Sequence, residues 1–213
     1  MKTLAVIDYG MSNLHSVSRA CEHVAGKNWK VQISSEADAV MAADKVVFPG
    51  QGAIGNCMHL LKTTGLDEGI RLSLESKPFF GICLGLQTLL TDSEESGGTA
   101  GFDYLAGTVR HFKRDLEDPN TGEHLKIPHM GWNQVRHNNH DHPLWQDIPD
   151  NSRFYFVHSY YASLENSEFV AATTPYPQGF TSAIAKDNVF AVQFHPEKSQ
   201  HVGLKLLENF LDW

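Results

Sequence analysis

The first eighty residues alternate short β-rich runs with helically spaced segments, and this alternation limits the fold class. The β-rich runs are residues 3–10, 30–34 and 45–50. The helically spaced segments are residues 12–24, 35–44 (a short capped helix) and 53–76 (two helices that join near Gly65). Strands that alternate with helices predict an α/β fold with a parallel central sheet flanked by helices.

The second half of the sequence has a different pattern. From about residue 103, strand-like runs follow one another with few helical segments between them, and KDN at 186–188 predicts a hairpin turn. An amphipathic helix is predicted over 199–213. We therefore expect an antiparallel extension of the parallel sheet. Without a repeat or a low-complexity linker, residues 1–213 are predicted to form a single domain.

Charge and hydropathy exclude several classes of partner. The formal net charge is -8, and no basic cluster offers a face for phosphate backbones, so no nucleic-acid partner is expected. No segment approaches the roughly 18 apolar residues of a membrane span, and the apolar run at the N-terminus breaks at Asp8. The prediction is a cytoplasmic protein with no membrane partner.

Cys83 lies between two glycines in the sequence PFFGICLGLQ. An apolar strand leads into it, and a helix is predicted to follow over residues 86–96. This is the strand-turn-helix elbow on which some hydrolases carry a nucleophile, and it needs very small residues such as Gly81 and Gly85 beside the turn. A helix N-terminus also favours a thiolate. The alternative is that Cys83 is a small buried hydrophobic residue. Three cysteines without a CxxC pair predict reduced thiols.

His195 and Glu197 stand two apart in FAVQFHPEKS, at the end of a predicted strand. A period of two places both side chains on one face, where the carboxylate can accept from one imidazole nitrogen while the other nitrogen faces a thiol. Pro196 suits a strand terminus. Taken alone, this pair is also common on solvated sheet edges. With Cys83 it completes a Cys-His-Glu set for nucleophilic catalysis.

A glycine-rich loop follows the predicted strand in FPGQGAIG, residues 48–55. Its backbone amides are candidates for an oxyanion site beside the amide of Leu84. Phosphate binding is an alternative, but the lysine and the Ser or Thr of a P-loop are missing. A plain turn is the other alternative.

Twelve histidines raise the question of a metal. The densest cluster is HNNHDH, His137 to His142, and its Asn, Asp and following Pro predict a solvated loop rather than a metal site. Neither a metal nor a cofactor is predicted.

With these residues assembled, the chain resembles the class I, or triad, glutamine amidotransferases. GICLG and HPE carry the resemblance to this superfamily. The motifs DYGMSNL, PHMGWN and YFVHSYY make it similar to one family within it, the glutaminase subunits of the imidazole glycerol phosphate synthases of histidine biosynthesis.

The resemblance implies a role for each matching residue. Cys83 would attack the carboxamide carbon of L-glutamine, His195 would act as base and then as acid, and Glu197 would orient His195. The thioester would be hydrolysed to glutamate. The residues implied to bind the amino-acid end of glutamine and the opposite side of the pocket are Gln87 and Glu95, one and three helical turns beyond Cys83, and Ser159 and Tyr160.

The resemblance also implies an oxyanion loop and a partner. The oxyanion residues are Gly50, Gln51, Gly52 and Leu84, and Gln51 stands where many family members have valine. The implied partner is a (β/α)₈ barrel cyclase, which would form a heterodimer and receive the ammonia. The implied interface residues are Asn13, Pro128, His129, Met130, Gly131, Trp132, Asn133 and Lys198. Two alternatives are the glutaminase of another triad amidotransferase, such as pyridoxal phosphate synthase, and a non-enzymatic regulatory module with this fold.

Overall fold

A computed structural model describes residues 1–10, 14–113, 115–118, 121–177 and 179–213. Asn13, one of the predicted interface residues, lies outside the described residues. Among the described residues no helix combines the length and the apolar composition that a membrane span requires.

One mixed sheet organises the described chain. Its strands are β1 Lys2–Ile7, β2 Trp29–Ser34, β3 Lys45–Gly50, β4 Phe79–Cys83, β5 Leu90–Ser93, β6 Thr99–Ala100, β7 Leu105–His111, β8 His129–His137, β9 Ser152–His158, β10 Tyr160–Leu164, β11 Val170–Thr174, β12 Phe180–Lys186 and β13 Val189–Val192. The helices are α1 Leu14–Val24, α2 Ala37–Ala42, α3 Ile54–Thr64, α4 Leu66–Ser76, α5 Leu84–Gln87 and α6 Gln200–Asp212.

The parallel part of the sheet has the order β2-β1-β3-β4-β13. Every residue of β3, β4 and β13 is buried, as expected for parallel strands covered on both faces. Two hydrophobic clusters accordingly pack on the sheet. Register places Gly50 opposite Cys83, so β3 and β4 end side by side, and ligands bind at this kind of edge in α/β folds.

The antiparallel extension continues from β13 through β12, β10 and β7. Its first turn is the predicted hairpin, in which Lys186 pairs with Val189 and Asp187 has a φ of 51°. Positive φ at this position is typical of the tight turns that match strand twist. The predicted fold class and this hairpin are therefore confirmed.

The helix boundaries agree with the sequence pattern in the first half. Gly65 has a φ of 75° and separates α3 from α4, a left-handed conformation that glycine adopts without steric cost. The helix within 35–44 was predicted to be capped, but the side chain of Glu36, the N-cap residue of α2, makes no cap hydrogen bond.

The helix predicted over residues 86–96 is wrong. Helix α5 ends at Gln87, and the chain turns into β5, which pairs with β7 and β6. Residues 90–93 form ladder hydrogen bonds with these two strands instead of hydrogen bonds within a helix. Glu95 consequently lies in a 3-10 turn, Glu95–Gly97, and not on a helix with Gln87.

Candidate active site

Cys83 lies at the junction of β4 and α5 in a strained backbone conformation. Its φ is 54° and its ψ is -103°, which non-glycine residues rarely adopt and which marks functional turns. A Cβ on Gly85 would lie 2.0 Å from the carbonyl oxygen of Phe48, and one on Gly81 would lie 2.9 Å from Cβ of Ala191. The steric role predicted for both glycines is confirmed.

His195 and Glu197 form a buried pair. Nδ1 of His195 lies 2.8 Å from Oε1 of Glu197, and each side chain is only 2% exposed. The pairing was predicted from a strand period, but β13 ends at Val192 and Glu197 lies in a 3-10 turn, Pro196–Lys198. Pro196 lacks the N–H that a strand ladder needs and suits the first position of such a turn. The turn therefore carries Glu197 back to the imidazole.

The charges around His195 favour its protonated form. Burial lowers its pKa, but the negative charge on Cys83 and the hydrogen bond to Glu197 outweigh burial and raise the pKa to about 10. Nε2 of His195, on the opposite side of the ring, has no hydrogen-bond partner among the described residues. The arrangement can thus take a proton from the thiol at Nε2 while Glu197 fixes the tautomer through Nδ1.

One pocket of about 320 Å³ collects most of the predicted site. It is lined by Gln51, Gly52, Cys83, Leu84, Gln87, Glu95, Pro128, Val157, His158, Ser159, Tyr160 and His195. Residues separated by more than a hundred positions in the sequence thereby meet around the thiol. This is the size and composition of a site for a small molecule with a few polar groups.

A tyrosine holds the predicted oxyanion loop. The backbone N–H of Gln51 donates to the hydroxyl of Tyr9 over 3.3 Å, and Gly52, with a φ of 89°, turns the chain toward α3. A Cβ on Gly50 would lie 2.7 Å from Cβ of Leu84, so β3 packs directly against the elbow. In this structure the Gln51 amide is directed at Tyr9.

The predicted glutamine-binding residues line two walls of the pocket. Nε2 of Gln87 donates to the carbonyl oxygen of Tyr160 over 3.0 Å. Oε2 of Glu95 accepts from the backbone N–H of Ile54 over 2.8 Å, which ties its turn to the first residue of α3. Ser159 lies between β9 and β10, and Tyr160 begins β10.

The predicted interface residues after Ile127 divide into surface and interior. Met130 and Trp132 are 63% and 41% exposed. With Gly131 and Asn133 they line a second cavity of about 430 Å³. His129 is 5% exposed and lines the same cavity from its buried side, so its place near an interface stays a prediction. Alternation along β8 turns this ring inward.

Pro128 and Lys198 extend the predicted interface in two directions. Pro128 is exposed and also lines the pocket that contains Cys83. Nζ of Lys198 lies 5.9 Å from the ring centre of Tyr155, and that ring contacts Trp132 edge-on at 6.2 Å. Lys198, Tyr155 and Trp132 thus form one row of contacts, whereas Pro128 alone of this set lines the pocket.

The cluster at His137 to His142 is less solvated than predicted. The side chain of His137, on β8, is buried and stacks on Trp145 at 4.1 Å. His137, His140 and Asp150 each have one potential metal-ligating atom, and these three atoms lie within 4.8 Å of one another. Asp150 also accepts from the backbone N–H of His137 over 2.7 Å, which explains the proximity without a metal, so the expectation of no metal remains a prediction.

Sequence reasoning missed three residues that contact the predicted site. Tyr9 binds the oxyanion loop, His158 lines the pocket, and Nε2 of Gln193 lies 3.5 Å from Sγ of Cys83. Gln193 had a signal in the sequence, since it is the only polar residue of VFAVQF and stands two positions before His195. A period of two places both on the side of the strand that faces the site.

Comparison with known proteins agrees with this geometry. A family model described as glutamine amidotransferase class-I matches residues 5–213. The chain is 54% identical to the imidazole glycerol phosphate synthase subunit HisH of Neisseria meningitidis serogroup B, over 98% of this chain and 99% of that protein. The chain belongs to the HisH family of class I glutamine amidotransferases. The resemblance inferred from its motifs is confirmed.

Other similar proteins extend this result. The HisH subunit of Methylococcus capsulatus is 52% identical over 100% of this HisH-family chain and 97% of its own length. Among solved structures, a glutamine amidotransferase has a TM-score of 0.69 at 14% identity, and the match covers 98% of this chain and 97% of that one. A glutamine amidotransferase from Thermotoga maritima has a TM-score of 0.63 at 17% identity over 92% and 76% of the two chains. These structures support the fold of the HisH-family chain.

Proposed function

We propose that this chain is the glutaminase subunit of an imidazole glycerol phosphate synthase, and that it hydrolyses L-glutamine to L-glutamate and ammonia. One observation carries the proposal. Cys83, on a strained turn, shares a pocket with His195, whose other ring nitrogen binds Glu197. A nucleophile, a base and an orienting acid in this order are the set that acyl transfer needs.

The first half of the reaction forms a thioester. His195 holds the proton of Cys83 at Nε2, and Sγ attacks the carboxamide carbon of glutamine. Charge develops on the carboxamide oxygen, where backbone amides at Gln51 and Leu84 would stabilise it. The C–N bond then breaks, His195 returns the proton to nitrogen, and ammonia leaves.

The second half regenerates the thiol. Water attacks the γ-glutamyl thioester as His195 takes one of its protons at Nε2, the C–S bond breaks to release glutamate, and His195 returns the proton to Sγ of Cys83. Glu197 would support the imidazolium in both halves, because its Oε1 lies 2.8 Å from Nδ1 of His195. Gln87, Glu95, Ser159 and Tyr160 line the remainder of the pocket, and we assign them to the amino-acid end of the substrate.

The ammonia would pass to a barrel cyclase subunit. The cyclase would add it to its aminoimidazole intermediate and yield imidazole glycerol phosphate and aminoimidazole carboxamide ribotide, in the pathway to histidine. The exposed Met130 and Trp132 lie beside the pocket that Pro128 lines, which suits a partner that covers the exit for ammonia. A heterodimer of this kind would work in the cytoplasm, where the free Cys83 stays reduced.

Replacement of the nucleophile tests the proposal. With the cyclase subunit bound and its substrate present, Cys83→Ala should reduce glutamine-dependent ammonia release to background. Synthesis from added ammonium should continue at the wild-type rate, because the cyclase does not need the thiol. The matched control is Cys57→Ala, another buried free cysteine. Glutamine turnover that persists in Cys83→Ala would refute the assignment.

A further inference from the structure

The side-chain amide of Gln193 is fully buried and lies between Cys83 and Gln87, a predicted glutamine-binding residue. The residue follows β13 directly, and its side chain has no exposed surface. Its backbone N–H donates to the carbonyl oxygen of Ser182 over 2.9 Å, which anchors the residue to β12. Burial of an amide destabilises the fold unless both its oxygen and its nitrogen are hydrogen-bonded. The two contacts of this side chain therefore indicate which atom is the oxygen and which is the nitrogen.

Those contacts fix the orientation of two amides. Oε1 of Gln193 accepts from Nε2 of Gln87 over 3.0 Å, and Nε2 of Gln193 lies 3.5 Å from Sγ of Cys83. Nε2 of Gln87 also donates to the carbonyl oxygen of Tyr160 over 3.0 Å. Both hydrogens of the Gln87 amide are therefore used. If either amide were flipped, so that its oxygen and nitrogen exchanged places, two acceptors or two donors would face each other.

We propose that Gln193 is a positioning residue that serves the thiol and the glutamine site together; this inference rests on the proposed function. Its N–H group donates to the sulfur of Cys83 and favours the thiolate. Its side-chain carbonyl oxygen accepts from Nε2 of Gln87 and so fixes the orientation of the Gln87 amide. Oε1 of Gln87 is then the acceptor for the ammonium group of a bound amino acid. One side chain thereby couples the nucleophile to the group that orients the substrate.

The coupling has a consequence for each step of the reaction. The sulfur of Cys83 carries its largest negative charge as the thiolate, before it attacks glutamine and again when the C–S bond of the thioester breaks. In the thioester itself the sulfur is neutral and is a weak hydrogen-bond acceptor. A hydrogen bond to a charged acceptor is stronger than one to a neutral acceptor. Loss of this donor should slow both ends of the cycle, with an expected fall in kcat of about 10- to 100-fold.

The test uses two variants that separate the two contacts. Gln193→Met keeps the length of the side chain and removes both contacts. Gln193→Glu keeps an acceptor for Gln87 but replaces the donor that faces sulfur. Gln32→Met, on β2 at the far edge of the sheet, is the matched control. Circular dichroism and thermal unfolding establish that each variant is folded.

The first measurement is the rate at which iodoacetamide alkylates Cys83 between pH 5 and pH 10, followed by mass spectrometry of the peptide that contains Cys83. This neutral probe does not need the amino-acid site. We expect both Gln193 variants to shift the midpoint of the profile upward by about one pH unit relative to wild type and Gln32→Met. An unchanged midpoint in both folded Gln193 variants would overturn the contact to sulfur, whereas a merely structural role would not move it.

The second measurement is glutamine turnover in the complex with the cyclase subunit. Gln193→Met should lower kcat and raise KM severalfold, whereas Gln193→Glu should lower kcat with a smaller change in KM. Equal KM for wild type and Gln193→Met would overturn the contact to Gln87. If the wild-type complex does not hydrolyse glutamine, the proposed function fails, while the alkylation profile still decides the role of Gln193 toward Cys83.

Discussion

Nδ1 of His129 lies 3.0 Å from Nε2 of His158, and both imidazoles are buried. Nδ1 of His158 lies 2.8 Å from the carbonyl oxygen of Tyr160, so this nitrogen must donate. Nε2 of His158 then accepts from Nδ1 of His129, whose Nε2 accepts from Nδ2 of Asn133 over 3.2 Å. The result is a directed chain of neutral groups from the predicted partner surface to the carbonyl that also binds Gln87.

The neutral His129 and His158 should make the protein sensitive to acid. Burial lowers the pKa of His129 to about 4 and that of His158 to about 3. Each group therefore binds a proton in the unfolded chain below pH 6.5 but not in the folded chain. The free energy of unfolding is therefore highest above pH 6.5 and decreases as the pH falls toward 4. The decrease is on the order of 2 kcal/mol per histidine between pH 7 and pH 5.

Urea unfolding at a series of pH values tests this expectation. His158→Gln, which does not titrate, should flatten the dependence between pH 7 and pH 5. His201→Gln, at an exposed position on α6, should leave it unchanged. Equal slopes for wild type and His158→Gln would contradict the assignment of a neutral buried ring.

The ionisation of His195 should depend on Cys83. The pKa of His195 is raised to about 10 because the charge on Cys83 and the bond to Glu197 outweigh burial. This raised pKa stabilises the fold below pH 6.5, and the stabilisation is lost as the pH rises through about 10. In Cys83→Ala we expect the pKa of His195 to fall, as followed by NMR of the imidazole C–H protons. An unchanged titration curve in Cys83→Ala, with Cys57→Ala as control, would show that the thiolate does not set this pKa.

The hydroxyl of Tyr9 should restrain the oxyanion loop. It accepts from the N–H of Gln51 over 3.3 Å, and this N–H must turn toward the pocket to bind an oxyanion. Tyr9→Phe should therefore raise the glutaminase rate of the isolated subunit by about 3- to 10-fold, the equivalent of one neutral hydrogen bond. Tyr104→Phe, which removes a hydroxyl bonded to the carbonyl of Lys186, is the control. A lower or unchanged rate in Tyr9→Phe would refute the restraint.

The elbow should not tolerate a methyl group at Gly85. A Cβ there would lie 2.0 Å from the carbonyl oxygen of Phe48, and neither β3 nor β4 can move without breaking the sheet. We expect Gly85→Ala to lower the free energy of unfolding by about 3 kcal/mol or more and to abolish glutamine turnover. Gly55→Ala, within α3, meets only side-chain atoms at 3.3 Å or more and should be close to neutral in chemical denaturation. A Gly85→Ala protein of wild-type stability would contradict the close contact.

Trp132 should contribute to cyclase binding. Its ring is 41% exposed beside Met130 and lies edge-on to Tyr155, and large exposed aromatic residues commonly anchor interfaces. Trp132→Ala should weaken the complex by about 10-fold or more in calorimetric titration. Alkylation of Cys83 in the free subunit should not change. Leu72→Ala, another exposed apolar residue on α4, is the control, and equal affinity for both variants would exclude Trp132 from the interface.

Much of this fold follows from local sequence patterns. Alternating β-rich and helical segments predicted the parallel sheet, and the glycines around Cys83 predicted an elbow, because both depend on short-range sterics. The helix predicted over 86–96 failed for a long-range reason: β5 gains its ladder from β7, whose first residue is Leu105. Local propensity does not contain that partner.

The tertiary structure alone decided which other side chains contact the residues of the predicted site. The sequence predicted the nucleophile, its base and its acid through two motifs, since each motif is local and its chemistry needs those residue types. The bonds of Gln193 to Gln87 and Cys83, and of Tyr9 to Gln51, join segments 106, 110 and 42 positions apart. Such contacts depend on which strands are neighbours in the sheet. This strand order is fixed by the packing of the whole core rather than by any one segment.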